Sequence, residues 1–372
     1  PFNFISSQDD PATFGIDESG NFAGDEIAAG TYFVSAQPPN GLQAYSAPIL
    51  QIRAGTTISN GNSNRPAISE HGRYIAFESS ANNLVTGDTN GVSDIFVYDS
   101  VLKVIDRVSV SSTGVQGDRA SSLPSISNDG RFVTFTSLAT NLVVGDSNNL
   151  SDIFVFDRFE RTTDRISVSD SNAQSNGSSR SPAISPDGQW VVYTSQATNI
   201  VPTGPFLFIG ENIILFDRAA RKSSLLSVSA FSGHAAGDSH SPVISEDGKF
   251  VAFISTTHLA TDPPIFSNGM QQVYLFDRIA SELSMISVDV DGNPGNNTSV
   301  APIISRDGNT VVFPSLSSNL VSGDTNGFSD VFSYDRSADA MRRLSLTTSG
   351  DQVDANINSI TVSNDGRFVA FQ

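Results

Sequence analysis

Three short stretches of the sequence share a spacing of carboxylate and amide side chains that suits a hard cation. They span residues 87–94, 145–152 and 323–330 and share the pattern Gly-Asp-x-Asn-(Gly/Asn)-x-Ser-Asp. A cation such as Ca²⁺ takes about six to eight oxygen ligands, and Gly permits the sharp bend that wraps a loop around it. The candidate metal ligands are therefore Asp88, Asn90 and Asp94 in the first stretch, Asp146, Asn148 and Asp152 in the second, and Asp324, Asn326 and Asp330 in the third.

A second interpretation of these loops needs no ion. They resemble the latter part of the calcium loops of integrin-type β-propellers, and that resemblance implies Ca²⁺ as a cofactor. However, the leading acidic position of that family is Thr86, Val144 or Ser322 here, and the closing Glu of an EF-hand is absent. The alternative is an Asx turn, in which Asp and Asn side chains hydrogen-bond backbone groups and nothing binds. Both interpretations stay open from the sequence.

Signatures of catalysis are missing. The sequence has no Gly-x-Ser-x-Gly, no His-Glu-x-x-His and no phosphate-binding Gly loop, so we expect no catalytic residue and no organic cofactor. His234, His240 and His258 fall in one stretch and could hold a transition metal, although their spacing matches no known ligand signature.

The elements that must position these loops come from an internal repeat. A phrase that runs from Arg65 to Phe77 at its first appearance recurs six times. The apolar residue before its Ser lies at positions 68, 126, 184, 244, 304 and 362, so the steps are 58, 58, 60, 60 and 58 residues. A fixed period of this kind indicates one supersecondary unit repeated along the chain.

Each period contains four short apolar runs separated by turn residues. In the second period they are 125–127, 131–136, 152–157 and 163–168. They are rich in Val, Ile, Phe and Thr, which favours strands, and no stretch keeps a 3.6-residue period, so we expect almost no helix. Asp-Gly pairs between the first two runs predict tight turns, with His71 as a variant of the Asp. Both alternating faces of residues 95–98 are apolar, which predicts cover by neighbouring sheets.

The predicted fold is all-β, a six-bladed β-propeller with four-stranded antiparallel blades over residues 24–372. The repeats begin near residues 66, 124, 182, 242, 302 and 360. The last repeat supplies two strands, and 30–35 and 49–54 are predicted to supply the third and fourth, so that N- and C-terminal strands close the ring and remove free edges. Alternatively, another chain completes this blade. Residues 1–23 fit no repeat and are predicted to be an N-terminal arm or the remnant of a preceding segment.

The phrase at 181–193, Ser-Pro-Ala-Ile-Ser-Pro-Asp-Gly-Gln-Trp-Val-Val-Tyr, resembles the repeat of TolB-like, WD-repeat-like bacterial β-propellers. The recurring Asp-Ile-Phe-Val-Phe-Asp-Arg resembles it too, and the resemblance covers roughly residues 60–372. It implies the propeller fold. Such propellers occur in periplasmic TolB, in prolyl oligopeptidase-type enzymes and in many bacterial surface proteins, so the resemblance leaves the function open.

Composition restricts the partners. The 372 residues carry a formal charge of −18, which repels nucleic acid and anionic lipid, and no apolar run is long enough to span a membrane. Without cysteine there is neither a disulfide nor a thiolate. The chain begins at Pro1 without a visible signal peptide, so we expect a mature or trimmed segment of an exported product.

We therefore expect a non-enzymatic interaction or assembly scaffold, secreted or at the cell surface, with calcium-stabilised loops. The partner is a protein or another copy of the chain, and the apolar loops 202–212 and 261–272 are the predicted contact surface. One alternative is a TolB-like periplasmic partner-binding protein. The other is a polysaccharide-acting enzyme, a glycosidase or lyase, that uses carboxylates in the central funnel.

Overall fold

The structure is a computed structural model. It describes residues 59–201, 210–228, 238–257, 268–357 and 359–372, with Leu259, Thr261 and Ile265, and of the first 58 residues it describes only the backbone of five strands. The chain divides into two compact units, residues 1–60 and 61–372. The assignment of residues 24–60 to the propeller and the closure of a ring by the chain ends stay predictions.

The first unit contains two small antiparallel sheets. Its strands are β1 (Asn3–Ser6), β2 (Gly15–Ile16), β3 (Phe22–Ala23), β4 (Gly30–Ser35) and β5 (Ser46–Ile52). The order β1-β4-β5 makes one sheet and β2-β3 the other. The two strands predicted at 30–35 and 49–54 therefore exist as an antiparallel pair, with the second beginning three residues earlier. The β1 strand lies in the segment that fits no repeat, and it pairs with β4.

The second unit consists of five four-stranded antiparallel sheets and a two-stranded one, each formed by consecutive strands. Blade one is β6 (Ser63–Ile68), β7 (Tyr74–Ser79), β8 (Asp94–Asp99) and β9 (Val104–Arg107). Blade two is β10 (Ser121–Ile126), β11 (Phe132–Ser137), β12 (Asp152–Asp157) and β13 (Thr162–Arg165). Blade three is β14 (Ser179–Ile184), β15 (Trp190–Ser195), β16 (Asn212–Asp217) and β17 (Lys222–Leu225). Blade four is β18 (Ser239–Ile244), β19 (Phe250–Ser255), β20 (Gln272–Asp277) and β21 (Glu282–Met285). Blade five is β22 (Ile303–Ile304), β23 (Thr310–Ser315), β24 (Asp330–Asp335) and β25 (Ala340–Arg343), and the terminal pair is β26 (Ile360–Val362) and β27 (Val369–Phe371).

The first strand of a blade is longer than the apolar run that predicts it. In blade two it begins at Ser121 rather than Ser125, because it continues through a bulge at Leu123 before Pro124. Proline has no N–H to donate to the partner strand, and Leu123 has φ +56°, so the register slips there. The residue before Pro has positive φ in all five blades: Arg65, Leu123, Ser181, Ser241 and Ala301.

The Ser-x-Asp-Gly turn that joins the first two strands is held by its own side chains. Ser127 Oγ donates to Asp129 Oδ1 at 2.6 Å and accepts from the N–H of Phe132 at 2.9 Å. Gly130 closes the turn with φ +70°. In blade one, His71 replaces the Asp, and residues Glu70–Gly72 form a 3-10 turn in which His71 has φ +61°. The predicted turn variant is confirmed.

Blades cover each other through apolar faces. Ala76, Ile95 and Val97 of blade one pack in one buried cluster with Phe135 and Phe154 of blade two. Equivalent clusters join blades two and three, three and four, and four and five. The predicted burial of both faces of 95–98 holds for residues 95–97, which are almost fully buried.

An arginine from the turn between the third and fourth strands of one blade packs on an aromatic ring of the preceding blade. The Arg158 guanidinium lies 4.3 Å from the ring centroid of Tyr74 in the preceding blade, and its Nη1 donates to the carbonyl oxygen of Gly130 at 2.6 Å. The arginine of the repeated Asp-Arg pair thus contributes to the packing between blades. In the part of the chain that the structure describes, no helix is long and apolar enough to cross a membrane.

Candidate functional site

The three loops singled out by the sequence lie between the second and third strands of blades one, two and five. Each ends on the Asp that starts the third strand. In blade one, Ser109 Oγ donates to Asp94 Oδ1 at 2.6 Å and accepts from the N–H of Ile95 at 3.1 Å. Ser167 and Asp152 repeat this contact at 2.5 Å, and Ser345 and Asp330 repeat it in blade five. The Asp is therefore fixed by the strand ladder and by a serine after the fourth strand.

A guanidinium group lies between the two carboxylates of each loop. Arg107, the last residue of the fourth strand, places Nη1 3.4 Å from Asp88 Oδ1 and 3.6 Å from Asp94 Oδ2. Arg165 lies 3.4 Å from both Asp146 and Asp152. In blade five the distances from Arg343 are 3.3 Å to Asp324 and 3.7 Å to Asp330. All nine side chains are about nine-tenths buried or more. We call each such set an Asp–Arg–Asp site.

Side-chain amides also donate to these carboxylates, and in blade two Ser175 Oγ donates to Asp152 Oδ1 at 2.9 Å. Gln116 Nε2 donates to Asp88 Oδ1 at 2.9 Å and to Asp94 Oδ2 at 3.2 Å. Asn90 Nδ2 donates to Asp94 Oδ2 at 3.0 Å, while Asn90 Oδ1 accepts from the N–H of Val92. Asn148 and Asn326 accept from the backbone in the same way. The Asx-turn interpretation describes this geometry.

Burial of the paired carboxylates has an electrostatic cost. It raises the pKa of Asp94, Asp146, Asp152 and Asp324 above the ordinary value of an aspartate. For Asp146 and Asp324 the second cause of the raised pKa is the charge of the other carboxylate in the site. One guanidinium thus offsets only part of the cost of burying two carboxylates.

These side chains, as arranged, do not fit calcium. Calcium needs oxygen ligands on all sides, and here the carboxylate oxygens of Asp88 and Asp94 face the N–H groups of Arg107, Gln116 and Asn90. Among the residues that the structure describes, no group of three or more His, Cys, Asp or Glu side chains could hold a metal ion. Ca²⁺ stays a prediction, and this geometry does not favour it.

The predicted apolar loops 202–212 and 261–272 fall largely outside the described residues. Of the second, Ile265 packs against the cluster shared by blades three and four, and its N–H donates to Thr261 Oγ1 at 2.9 Å. Asn268 keeps the Asx turn, since its Oδ1 accepts from the N–H of Met270 at 3.0 Å. The contact surface at these loops stays a prediction.

Of the three clustered histidines, only His240 is described; His234 and His258 lie outside the described residues. His240 Nε2 lies 3.0 Å from Gln271 Nε2, and an amide NH2 donates, so this ring nitrogen accepts. Nδ1 then donates to Ser241 Oγ at 3.1 Å. Burial lowers the pKa of His240, which favours the neutral ring.

Four further polar side chains converge where the first strands end. Glu70, Asn128, Glu246 and Arg306 each occupy the second position of the Ser-x-Asp-Gly turn or its His71 variant, in blades one, two, four and five. Arg306 forms ion pairs with both Glu70 and Glu246. Asn128 Nδ2 donates to Glu70 Oε2 at 3.3 Å and to Glu246 Oε1 at 3.1 Å. We call these four residues the axial cluster, because they meet across the axis around which the blades are arranged.

The backbone supports the axial cluster. The N–H of Glu70 donates to the carbonyl of Asn128 at 3.2 Å, and that of Glu246 donates to the carbonyl of Arg306 at 2.8 Å. Each bond joins the same turn position of successive blades. The hydrogen bond from Arg306 is the main cause that lowers the pKa of Glu70. Sequence reasoning missed this cluster, although its members are spaced by one repeat or by several.

Comparison with known proteins identifies the fold. No protein-family model matches the chain, and no curated protein matches it. Among solved structures, TolB from Acinetobacter baumannii is 17% identical with a TM-score of 0.45, and the match covers 87% of this chain and 62% of TolB. The chain thus spans less than two thirds of that protein.

Two other solved structures match with higher TM-scores. The β-propeller domain of the Trilobed protease from Pyrococcus furiosus, described as having an open velcro topology, is 14% identical with a TM-score of 0.51, over 85% of this chain and 78% of that one. An oligogalacturonate lyase in complex with manganese is 11% identical with a TM-score of 0.52, over 99% of this chain and 77% of that one.

The repeated four-stranded antiparallel sheets, together with these similarities, define this chain as a β-propeller protein. The structures to which the chain is similar also include TolB.

Proposed function

We propose that this protein is a non-enzymatic scaffold for interaction or assembly, located outside the cell or at its surface. The observation that best supports the proposal is the exposure of large apolar side chains on two blade faces. The terminal pair β26 and β27 forms a two-stranded sheet, whereas each preceding blade has four strands. Sheet edges and blade faces without cover are surfaces on which another protein segment packs.

The face of blade one that points away from blade two is more exposed than the equivalent face of the later blades. The equivalent face carries a Val on the second strand in each later blade, and these residues are fully buried: Val133, Val191, Val251 and Val311. At the same position of blade one, Ile75 is half-buried. Ile68, at the end of the first strand, is 62% exposed, whereas Ile126 of blade two is 8% exposed. Ile68 and Ile75 are thus apolar side chains on an exposed blade face.

The terminal pair β26 and β27 also exposes large apolar side chains. Phe368 is 61% exposed and Phe371 is 38% exposed. A groove between this pair and blade five is lined by Ser333, Arg342, Leu344 and Val369, among others. In the preceding blades such surfaces lie under a third and a fourth strand. We expect each of these exposed apolar faces to be suited to a partner protein or a second copy of the chain.

The carboxylates of the axial cluster do not favour the enzyme alternative. A glycosidase needs one carboxyl group that stays protonated near neutral pH. Glu70 and Glu246 both pair with Arg306, and the pKa of Glu70 is lowered rather than raised. Such carboxylates are suited to holding blades together.

The test is the mass of the protein in solution by light scattering coupled to size exclusion, across a wide concentration range and with and without Ca²⁺. We expect concentration-dependent assembly that the double variant Ile68→Ser/Phe368→Ser abolishes. Val290→Ser is the matched control, since Val290 is 98% exposed but lies in a loop between blades four and five. A chain that stays monomeric throughout, or that assembles equally well with both substitutions, would contradict this proposal.

A further inference from the structure

One buried position at the start of the third strand recurs in all five complete blades. It carries a carboxylate in three blades and a neutral amide in the other two. The third strand begins with Asp in blades one, two and five, with Asn212 in blade three and with Gln272 in blade four. Ser227 Oγ donates to Asn212 Oδ1 at 3.1 Å, and Ser287 Oγ donates to Gln272 Oε1 at 2.6 Å. These contacts repeat that of Ser109 with Asp94, so the position is structurally equivalent in every blade.

The residue at the end of the fourth strand differs between the same two groups of blades. The fourth strand ends on Arg107, Arg165 or Arg343 in the three blades that carry Asp. It ends on Leu225 in blade three and on Met285 in blade four. Six residues before the third strand, the sequence has Asp88, Asp146 and Asp324 in the first group, and Phe206 and Phe266 in the second. All three positions are charged together or neutral together.

This joint change identifies the counter-ion of the carboxylates. If a metal ion were their partner, a cationic side chain at the end of the fourth strand would compete with it, and the two would not occur together. A buried ion pair, by contrast, can be exchanged for apolar residues of similar volume only when all its members change, because one unpaired buried charge is strongly destabilising. The two versions follow that rule.

We infer that the guanidinium of the fourth strand takes the place of the metal ion in these loops, so that Arg107, Arg165 and Arg343 make the three Asp–Arg–Asp sites independent of calcium. The sites are then internal clamps between the loop and the blade edge. Blades three and four carry neutral residues at the same repeat positions of the sequence.

The test combines a titration with a coordinated replacement. Calorimetry of EDTA-stripped wild-type protein with Ca²⁺ should give no binding heat and no change in melting temperature. Arg343→Met should lower the melting temperature, since Asp324 and Asp330 are at most 4% exposed and lose their cation. Arg343→Met/Asp324→Phe/Asp330→Gln installs the set of blade four and should restore most of the loss.

Two results would overturn the inference. One is binding of about three calcium ions to the wild-type protein with a raised melting temperature, because an ion that binds only the folded state must stabilise it. The other is a triple variant that melts below the single one, which would mean that the charges are not a coupled unit. If Arg343→Met fails to fold, the wild-type titration decides alone.

Discussion

Replacing Gly130 by Ala tests how neighbouring blades hold each other. Gly130 has φ +70°, a conformation that costs an L-residue about 1–2 kcal/mol. A Cβ at this position would also lie 2.0 Å from Cδ2 of Tyr74 in the preceding blade. The ring also packs against the guanidinium of Arg158, which restricts the movement that would relieve the clash. Overpacking of this kind adds about 1–3 kcal/mol, which brings the expected destabilisation to about 2–5 kcal/mol.

An equivalent glycine in blade one provides a control that measures the cost of the backbone conformation alone. Gly72 occupies the same turn position in blade one with φ +71°, and a Cβ added there would meet no heavy atom within 4 Å. Gly72→Ala should therefore lower the free energy of unfolding by about 1–2 kcal/mol only. The assay is denaturant unfolding of both variants, followed by tryptophan fluorescence and by circular dichroism so that coincident transitions establish two-state behaviour.

The difference between the two variants isolates the contact with Tyr74. In a Tyr74→Ala background the cost of Gly130→Ala should fall to that of Gly72→Ala, since the clashing ring is gone. Equal destabilisation by the two glycine substitutions in the wild-type background would refute the view that this turn packs on the preceding aromatic residue.

Three further predictions concern charges. Arg306→Met should lower the melting temperature at pH 7 but not at low pH. Without the arginine, Glu70 and Glu246 repel each other only while both carboxylates are ionised. An effect independent of pH would contradict the role of the axial cluster. Asp157→Ala should cost about 1–3 kcal/mol in denaturant unfolding, since Asp157 Oδ1 accepts two backbone N–H bonds and its carboxylate pairs with Arg131; a neutral effect would contradict its role in the turn. Finally, stability should rise as the pH falls from neutral towards the ordinary value of 3.8, because carboxylates with a raised pKa, such as Asp94, bind protons more tightly in the folded state. It should fall below pH 3.8, where groups with a lowered pKa, such as Asp157, lose their contribution. Melting temperatures that decline steadily as the pH falls from neutral would contradict this sign.

The strands were predictable because their signals are local. The apolar run at residues 152–157 has the bounds of β12, and the Asp-Gly of the turn before β11 lies where its backbone conformation requires. The start of the first strand was placed too late, since Leu123 and Pro124 read as a boundary and not as a bulge within a strand. Local strand propensity does not indicate that strand pairing resumes beyond a bulge.

The full sets of residues in the Asp–Arg–Asp sites and in the axial cluster were harder to predict, because their members lie far apart in the sequence. The Asp and Asn of each loop are adjacent in sequence, but Arg107 follows Asp94 by 13 positions and reaches back from another strand. Its signal was available as the joint occurrence of Arg with the Asp pair in three repeats. The axial cluster offered less, because the meeting of Glu70 with Arg306, 236 residues apart, depends on how the blades are arranged around their axis.

The stacking of arginine on aromatic rings gives the array of blades a direction. Tyr74, Phe132, Trp190 and Phe250 are each covered by an arginine from the following blade, at 4.3, 3.7, 4.0 and 4.2 Å from the ring centroids. Blades one to four thus each present an aromatic ring to the following blade, and blades two to five each place an arginine on the ring of the preceding blade. Phe368 of the terminal pair is such a ring and is largely exposed. The packing of the blades is therefore directional. In each of these contacts the arginine comes from the later blade and the ring from the earlier one, and blade one has Ser100 in place of that arginine.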